Sequence, residues 1–147
     1  MARNLFTQAD QDRIVSAIAE AERQTSGEIR VHIEKTCKGD PVQRAIVVFQ
    51  KLGMQKTEQR NGVLIYLATE DHKFAIIGDQ GINEHVPDHF WDDERDLMQS
   101  YFRKHQFTEG LIQGIIKVSE QLRDAFPSEV GDRNELENEI SFDEGEA

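Results

Sequence analysis

Carboxylate side chains are concentrated in one stretch of the sequence, directly after two short apolar runs. Four of them are the strongest candidates for chemistry: Asp79, Glu84, Asp88 and Asp92. The last three recur every four residues, a spacing that would place them on one face of a continuous helix. Carboxylate oxygens are preferred ligands of Ca²⁺ and Mg²⁺. The stretch therefore predicts a divalent-cation site for Ca²⁺ or Mg²⁺.

A purely structural interpretation of the same stretch stays open. Pro87 interrupts helical continuity between Glu84 and Asp88. Acidic residues such as Asp88 and Asp92 also suit the first turn of a helix, where the macrodipole favours negative charge. The Gly-Asp-Gln-Gly sequence at residues 78–81 is typical of a turn from a strand into a helix, with glycines at positive φ. Metal ligation and helix capping would use the same residues.

Histidine and cysteine give weaker signals. His85 and His89 are four residues apart, but no His-Glu-x-x-His pattern surrounds them, so exposed polar side chains are the simpler interpretation. Cys37 is the only cysteine, which excludes an intramolecular disulfide and a thiol-ligated metal cluster. A nucleophilic cysteine needs a positioned base, and the sequence identifies none for it.

The periodicity of the apolar residues predicts the elements that would position these groups. The predicted elements are helix 8–25, strand 28–34, a helix opening at Pro41, strands 62–68 and 73–78, helix 88–104, and a helix carrying Leu111 to Leu122. Strand 62–68 is apolar on both faces and should be central, with helices on both sides. The chain therefore predicts an α/β fold: an αβα sandwich around a mixed β-sheet, in the order αβαββαα.

Aromatic residues in the predicted helix 88–104 fall on or beside its apolar stripe. Trp91, Tyr101 and Phe102 are therefore predicted to be core residues. Glu94 lies on the same stripe. Gly114, in the middle of the last helix, predicts a close approach between this helix and a neighbouring element.

Composition and net charge limit the number of domains and the classes of partner that the chain can have. Residues 1–126 are enough for one domain, whereas residues 127–147 hold eight acids and one arginine and are predicted to be a flexible acidic tail. The net charge of −11 argues against nucleic acid and against anionic membrane surfaces as partners. No apolar signal segment and no run of about 18 apolar residues is present. We expect a cytoplasmic, soluble protein without membrane insertion.

Several short motifs in a fixed order resemble the TPM domain family. They are the Asn-Gly-Val-Leu strand at residues 61–64, the strand ending at residues 77–82, Pro87-Asp88, Phe102, and Gly110-Leu111. The resemblance covers about residues 5–126 and implies an αβα sandwich. It also implies calcium binding or acid phosphatase activity, which occur among members of the family. Only Asp88, and loosely Glu84, match motif positions of the family.

Two functions of different class follow. The favoured one is a stand-alone Ca²⁺-binding module with a regulatory or protein-interaction role and an unidentified protein partner. The alternative is a metal-assisted acid phosphatase, in which Asp79 and Asp88 hold the ion and activated water attacks phosphorus. That reaction needs cationic groups for the phosphate, and the candidates are Arg60, Arg95, Arg103 and Lys104. A scaffold without metal is a third possibility.

Overall fold

A computed structural model describes residues 6–128 and 140–143. The helices are α1 Gln8–Gln24, α2 Pro41–Lys51, α3 Gln80–Asn83, α4 Phe90–Phe102 and α5 Phe107–Ala125. The strands are β1 Glu28–Glu34, β2 Gly62–Ala68, β3 Lys73–Gly78 and β4 Ser141–Asp143. A 3₁₀ turn at Met54–Lys56 lies between α2 and β2.

The helix starts follow from local chemistry. Thr7 and Asp10 form a reciprocal capping box at the start of α1, so two backbone N–H groups of the first turn have side-chain acceptors. Asp40 caps α2 through the backbone N–H of Gln43, and Pro41 occupies the first turn, where no backbone donor is needed. Both starts were predicted, and both elements form where the periodicity places them.

The four strands form one mixed sheet in the order β3-β2-β1-β4. β1 runs parallel to β2 and β4, whereas β2 and β3 form an antiparallel hairpin. Two separate cores cover its faces. The core beneath α1, α4 and α5 contains Ile29, Val63 and Ile76, and the core beneath α2 contains Leu64 and Tyr66. The predicted αβα sandwich is confirmed, and every residue of β2 is buried.

The fourth strand comes from the acidic segment after residue 127 and was not predicted. Ser141–Asp143 pairs with β1, Ile140 is buried, and Phe142 packs against the larger core. Residues 129–139 and 144–147 lie outside the described residues, so the predicted flexibility of the tail is not tested there. β4 covers the outer edge of β1, and an edge strand presents backbone groups that need partners.

Candidate functional site

The turn between β3 and α3 lies against the loop that enters β2. Antiparallel pairing places Gly78 opposite Val63, and the backbone N–H of Asp79 donates to the carbonyl of Gly62 over 2.9 Å. The N–H of Gly81 donates to the carbonyl of Arg60, also over 2.9 Å. A Cβ atom at Gly81 would lie only 2.1 Å from the carbonyl oxygen of Gln59. Glycine is therefore required here because the two backbone segments touch.

Positive φ is not the reason for the two glycines of this turn. Among the glycines in the described ranges, positive φ is found at Gly53, whereas Gly78 and Gly81 have negative φ. A Cβ atom at Gly78 would lie 2.6 Å from the Trp91 indole. The prediction of glycines at positive φ is thus wrong, and close packing explains both positions.

Asp79 and Arg60 form a two-point ion pair across this contact. Arg60 Nε donates to Asp79 Oδ2 over 2.7 Å, and Arg60 Nη2 donates to Oδ1 over 2.9 Å. Asp79 Oδ1 also accepts the backbone N–H of Gln80 over 2.8 Å and so caps α3. These bonds raise the pKa of the Arg60 guanidinium above its ordinary value. The two parallel bonds fix the orientation of both side chains, because a charge-assisted pair with two bonds is stronger and more directional than one with a single bond.

A pocket of about 660 Å³ opens beside this ion pair, between α2, β3 and α4. Its apolar lining comes from Val42, Ile46, Phe49, Ile76, Ile77 and Trp91. Its polar lining comes from Gln50, Gln55, Arg60, Asp79, Asn83 and Arg95. The volume is within the range of small-molecule sites, which combine apolar walls with a few polar groups.

The other three predicted ligands lie apart from Asp79. Glu84 is the C-cap residue that follows α3, Asp88 follows Pro87, and Asp92 lies in the first turn of α4, all with exposed side chains. The continuous helix that would align them is absent, because α3 ends at Asn83 and α4 begins at Phe90. Asp92 hydrogen-bonds Arg95, which lines the pocket.

No three His, Cys, Asp or Glu side chains converge to hold a metal ion within residues 6–128 and 140–143. The donor chemistry of Asp79, Glu84, Asp88 and Asp92 suits a hard cation. The assignment of these four residues as ligands stays a prediction.

Comparisons with known proteins agree on the family. The chain matches the TPM domain over residues 2–121. It also matches the NMR structure of the BA42 protein from the psychrophilic bacterium Bizionia argentinensis, with 47% identity and a TM-score of 0.88. That match covers 94% of this chain and 95% of the other. The chain belongs to the TPM domain family.

Two more distant structures share the fold of this TPM domain. The N-terminal domain of cg2496 from Corynebacterium glutamicum has a TM-score of 0.66 and 16% identity, covering 82% of this chain and 76% of the other. An N-terminal domain from P. gingivalis has a TM-score of 0.66 and 19% identity, covering 83% and 79%. No curated protein shows significant similarity to the chain. In the described part of the domain, no helix is long and apolar enough to cross a bilayer.

Trp91 and the outer face of α2 are functional candidates that the sequence analysis missed. Trp91 was predicted to be core, but its side chain is only half-buried and lines the pocket, with Nε1 donating to Asn83 Oδ1 over 2.9 Å. Val42 and Ile46 are 39% and 38% exposed, although they lie on the apolar side of α2. The sequence signal for this exposed surface was the apolar face of α2, which is wider than packing against one sheet requires.

A buried carboxyl group between α4 and α5 was also missed. Glu94 is fully buried, and neither carboxyl oxygen has a hydrogen-bond partner within the described residues. Burial raises its pKa to about 8, against the opposing effect of Lys117. A Cβ atom at Gly114 would lie 3.0 Å from Glu94 Oε2 and 2.7 Å from Met98 Sδ, which confirms the predicted close approach. The sequence signal for this buried carboxyl group was the presence of a glutamate on the apolar stripe of α4.

A polar cluster lies at the opposite end of the sheet from Asp79. Glu34 accepts two 2.8 Å bonds from Arg44 and a bond from the Tyr66 hydroxyl, and His32 Nε2 lies 3.3 Å from Glu34 Oε1. His32 Nδ1 lies 2.8 Å from Ser141 Oγ on β4. Nearby Cys37 is buried. Glu34, His32 and Tyr66 are buried, the Arg44 side chain is 31% exposed, and the cluster joins β1, β2, α2 and β4.

Proposed function

We propose that this TPM domain is a divalent-cation-binding module in which Asp79 anchors the ion. We expect Ca²⁺ to be the bound ion and Mg²⁺ to bind more weakly. The observation that supports this most is the position of Asp79, which lines the pocket although its side chain is largely buried. Asp79 also begins a segment, residues 79–96, with five exposed acids that lie outside the pocket lining: Glu84, Asp88, Asp92, Asp93 and Asp96. Such a segment concentrates negative potential and attracts cations.

The hydrogen bonds of Asp79 set the expected affinity. A carboxylate offers about four lone-pair sites. Arg60 uses two of them and the N–H of Gln80 uses a third, which leaves acceptor capacity on Oδ2. An ion there has one firmly held carboxylate, with water or the exposed Glu84, Asp88 and Asp92 as further ligands. Few charged ligands give weak sites, so we expect a dissociation constant of about 10⁻⁴–10⁻³ M.

A regulatory role follows from where the ion would act. Residues 84–92 connect α3 to α4 and have exposed carboxylates. A cation that bridges Asp79 to this connection would order its charges and change the surface offered to a protein partner. This is the step by which calcium binding becomes protein recognition.

Thermal unfolding with EDTA, then Ca²⁺, then Mg²⁺ tests the proposal. Ca²⁺ at ten times its dissociation constant should stabilise the domain by about 1.4 kcal/mol, a rise of a few degrees in the midpoint. The double variant Asp79→Ala with Asp88→Ala should abolish the rise. Asp96→Asn, which removes an exposed charge of the same segment, is the matched control and should keep it. An unchanged midpoint in the wild type at 10 mM Ca²⁺ would contradict the proposal.

A metal-assisted acid phosphatase is the second candidate. The observation that favours it is that Arg60 and Arg95 line the same pocket as Asp79, which supplies cationic groups for a phosphate. A bound divalent cation would supply an activated water to such a reaction. The residues of the chain would hold and orient the phosphate.

Hydrolysis of p-nitrophenyl phosphate with Ca²⁺ or Mg²⁺ tests this second candidate. We expect turnover that requires the metal and falls at least tenfold in Arg95→Gln, because the variant removes a charge-assisted contact. Arg23→Gln, which changes an exposed arginine on α1 away from the pocket, should leave turnover unchanged. Turnover equal to that of the Asp79→Ala, Asp88→Ala double variant would exclude the phosphatase.

A further inference from the structure

The pocket between α2 and α4 has a fixed aromatic wall. The Trp91 indole packs against Gly78, where a side chain would not fit. Its Nε1 donates to Asn83 Oδ1 over 2.9 Å, and Asn83 Nδ2 donates to the carbonyl of Gly78 over 3.0 Å. These bonds tie the indole to α3 and to the end of β3. A wall that is already ordered loses little entropy when a ligand binds.

The facing wall is apolar and accessible. Val42 and Ile46 from α2 are more than one-third exposed, and Phe49 and Ile77 continue the same surface into the pocket. Single exposed apolar side chains are ordinary, but a contiguous concave group is typical of a binding surface. A pocket of about 660 Å³ with these walls suits an apolar body of one or two rings.

The charge of the lining is opposite to that of the domain. The pocket contains Arg60, Arg95 and one acid, Asp79, so its ionised lining sums to +1. The whole chain has a net charge of −11. Arg95 uses Nη2 to bond Asp92 at the rim, and a guanidinium presents five donors in a planar fork. That fork matches a carboxylate or phosphate.

We propose that this pocket binds a small organic anion, with its apolar ring body between Trp91 and Ile46 and its oxyanion head on Arg95. Gln50 and Gln55 supply further polar groups in the same lining. The inference goes beyond cation binding, because none of these contacts requires a metal ion. A neutral apolar compound would leave Arg95 unmatched. A strongly polar anion would leave the Ile46 wall exposed to water.

Trp91 makes the test direct, because it is the only tryptophan in the chain. Its indole N–H gives one resonance in a ¹H–¹⁵N correlation spectrum. The probes are 2-naphthoate and 2-naphthyl phosphate, with the neutral 2-naphthalenemethanol as the matched compound, all in EDTA. We expect saturable shifts of the indole resonance with at least one anion and at least tenfold weaker binding of the neutral compound. The anion with the lower dissociation constant shows whether the pocket prefers a carboxylate or a phosphate head group.

Two pairs of variants locate the binding. Arg95→Gln should weaken the anion about tenfold, the amount that loss of one charge-assisted bond costs, whereas Arg23→Gln on α1 should not. Ile46→Asp should abolish binding, whereas Ile116→Asp, at an exposed apolar position of α5, should not. All four positions are exposed, so the variants should fold, and far-ultraviolet circular dichroism checks that they do.

Three outcomes would overturn the proposal. The first is an indole resonance that neither anion shifts in the metal-free domain. The second is equal affinity for the anions and the neutral compound, which would make the pocket an uncharged apolar site. The third is self-association of the wild type in sedimentation velocity that Ile46→Asp removes and that excludes the probes, because the α2 face would then be an interface between copies.

Discussion

Two carboxylates at opposite ends of the sheet, Asp79 and Glu34, are each held by an arginine fork, but their surroundings differ. Asp79, whose side chain is 7% exposed, lines a pocket beside the 40% exposed side chain of Arg60. Glu34 is buried beneath Arg44, Tyr66 and His32. Burial alone would raise the pKa of Glu34, but the hydrogen bonds from these three groups lower it below the ordinary value. The same pair of residue types is therefore enclosed by further polar side chains at one end of the sheet and lines a pocket at the other.

The two carboxylates also differ in how many of their acceptor sites the protein itself occupies. Glu34 uses both oxygens on three side chains, so nothing is left for a ligand. Asp79 accepts three bonds, two from Arg60 and one from the backbone N–H of Gln80, which leaves one acceptor site on Oδ2. A carboxylate with every acceptor site occupied stabilises the fold, whereas one that lines a pocket with a site to spare is a candidate to bind a ligand.

The largest expected effect on stability comes from removing the charge of Glu34. Glu34→Gln should lower the free energy of unfolding by about 3–5 kcal/mol, because it removes the buried charge on which the bonds from Arg44, Tyr66 and His32 converge. Asp79→Asn should cost less, about 1–2 kcal/mol, since the Arg60 side chain is 40% exposed and asparagine can still cap α3. Urea unfolding at pH 7 measures both. Equal losses in the two variants would remove the distinction between the two regions.

Acid should act on Glu34 in a defined direction. Its folded pKa lies below the ordinary value, so the stability that it contributes is present above the ordinary carboxyl pKa and is lost as the pH falls through the folded pKa. The Glu34→Gln variant should therefore lose less stability than the wild type on acidification.

Glu94 sharpens the comparison, because it is a buried carboxyl group that lacks the arginine held by Glu34. Its pKa is raised from 4.5 to about 8, so the folded state keeps a proton that the unfolded state releases between those values. Stability should therefore fall as pH rises from 4.5 to 8. Glu94→Gln should raise the free energy of unfolding by about 2–4 kcal/mol at pH 9 and change it little at pH 4.

Urea unfolding across this pH range checks the expectation for Glu94. Glu120→Gln, at an exposed position of α5, is the control and should follow the wild type at every pH. Parallel curves for the wild type and Glu94→Gln would show that Glu94 is ionised, with a partner, in the folded domain.

A smaller effect is expected from the backbone that supports Asp79. Gly81→Ala would force the β3–α3 turn away from Gln59 and should cost about 1–3 kcal/mol. It should also weaken Ca²⁺-induced stabilisation, since Asp79 moves with the turn. Gly39→Ala is the matched control, because a Cβ atom there meets nothing within 4 Å and should change stability by less than about 0.5 kcal/mol. Equal stability of the two variants would indicate that the turn relaxes freely.

Much of the fold was determined by the sequence alone, because local chemistry specified each element. Capping residues such as Thr7 and Asp40 marked the helix starts, and alternation in β1 together with the apolar β2 marked a sheet covered on both faces. The TPM motifs also indicated the family correctly. Each of these patterns spans only a few residues, so it can be recognised without knowing which segments are in contact in the folded protein.

Only the tertiary structure decided how the candidate site is assembled. The Arg60–Asp79 pair depends on the register of the β2–β3 hairpin, and the pocket depends on how α2 and α4 stand beside β3. β4 pairs with a strand more than a hundred residues away in the sequence. The four-residue spacing of Glu84, Asp88 and Asp92 predicted one helical face, but two helices divide that segment. Contacts between distant segments depend on loop paths and packing, which short sequence patterns do not contain.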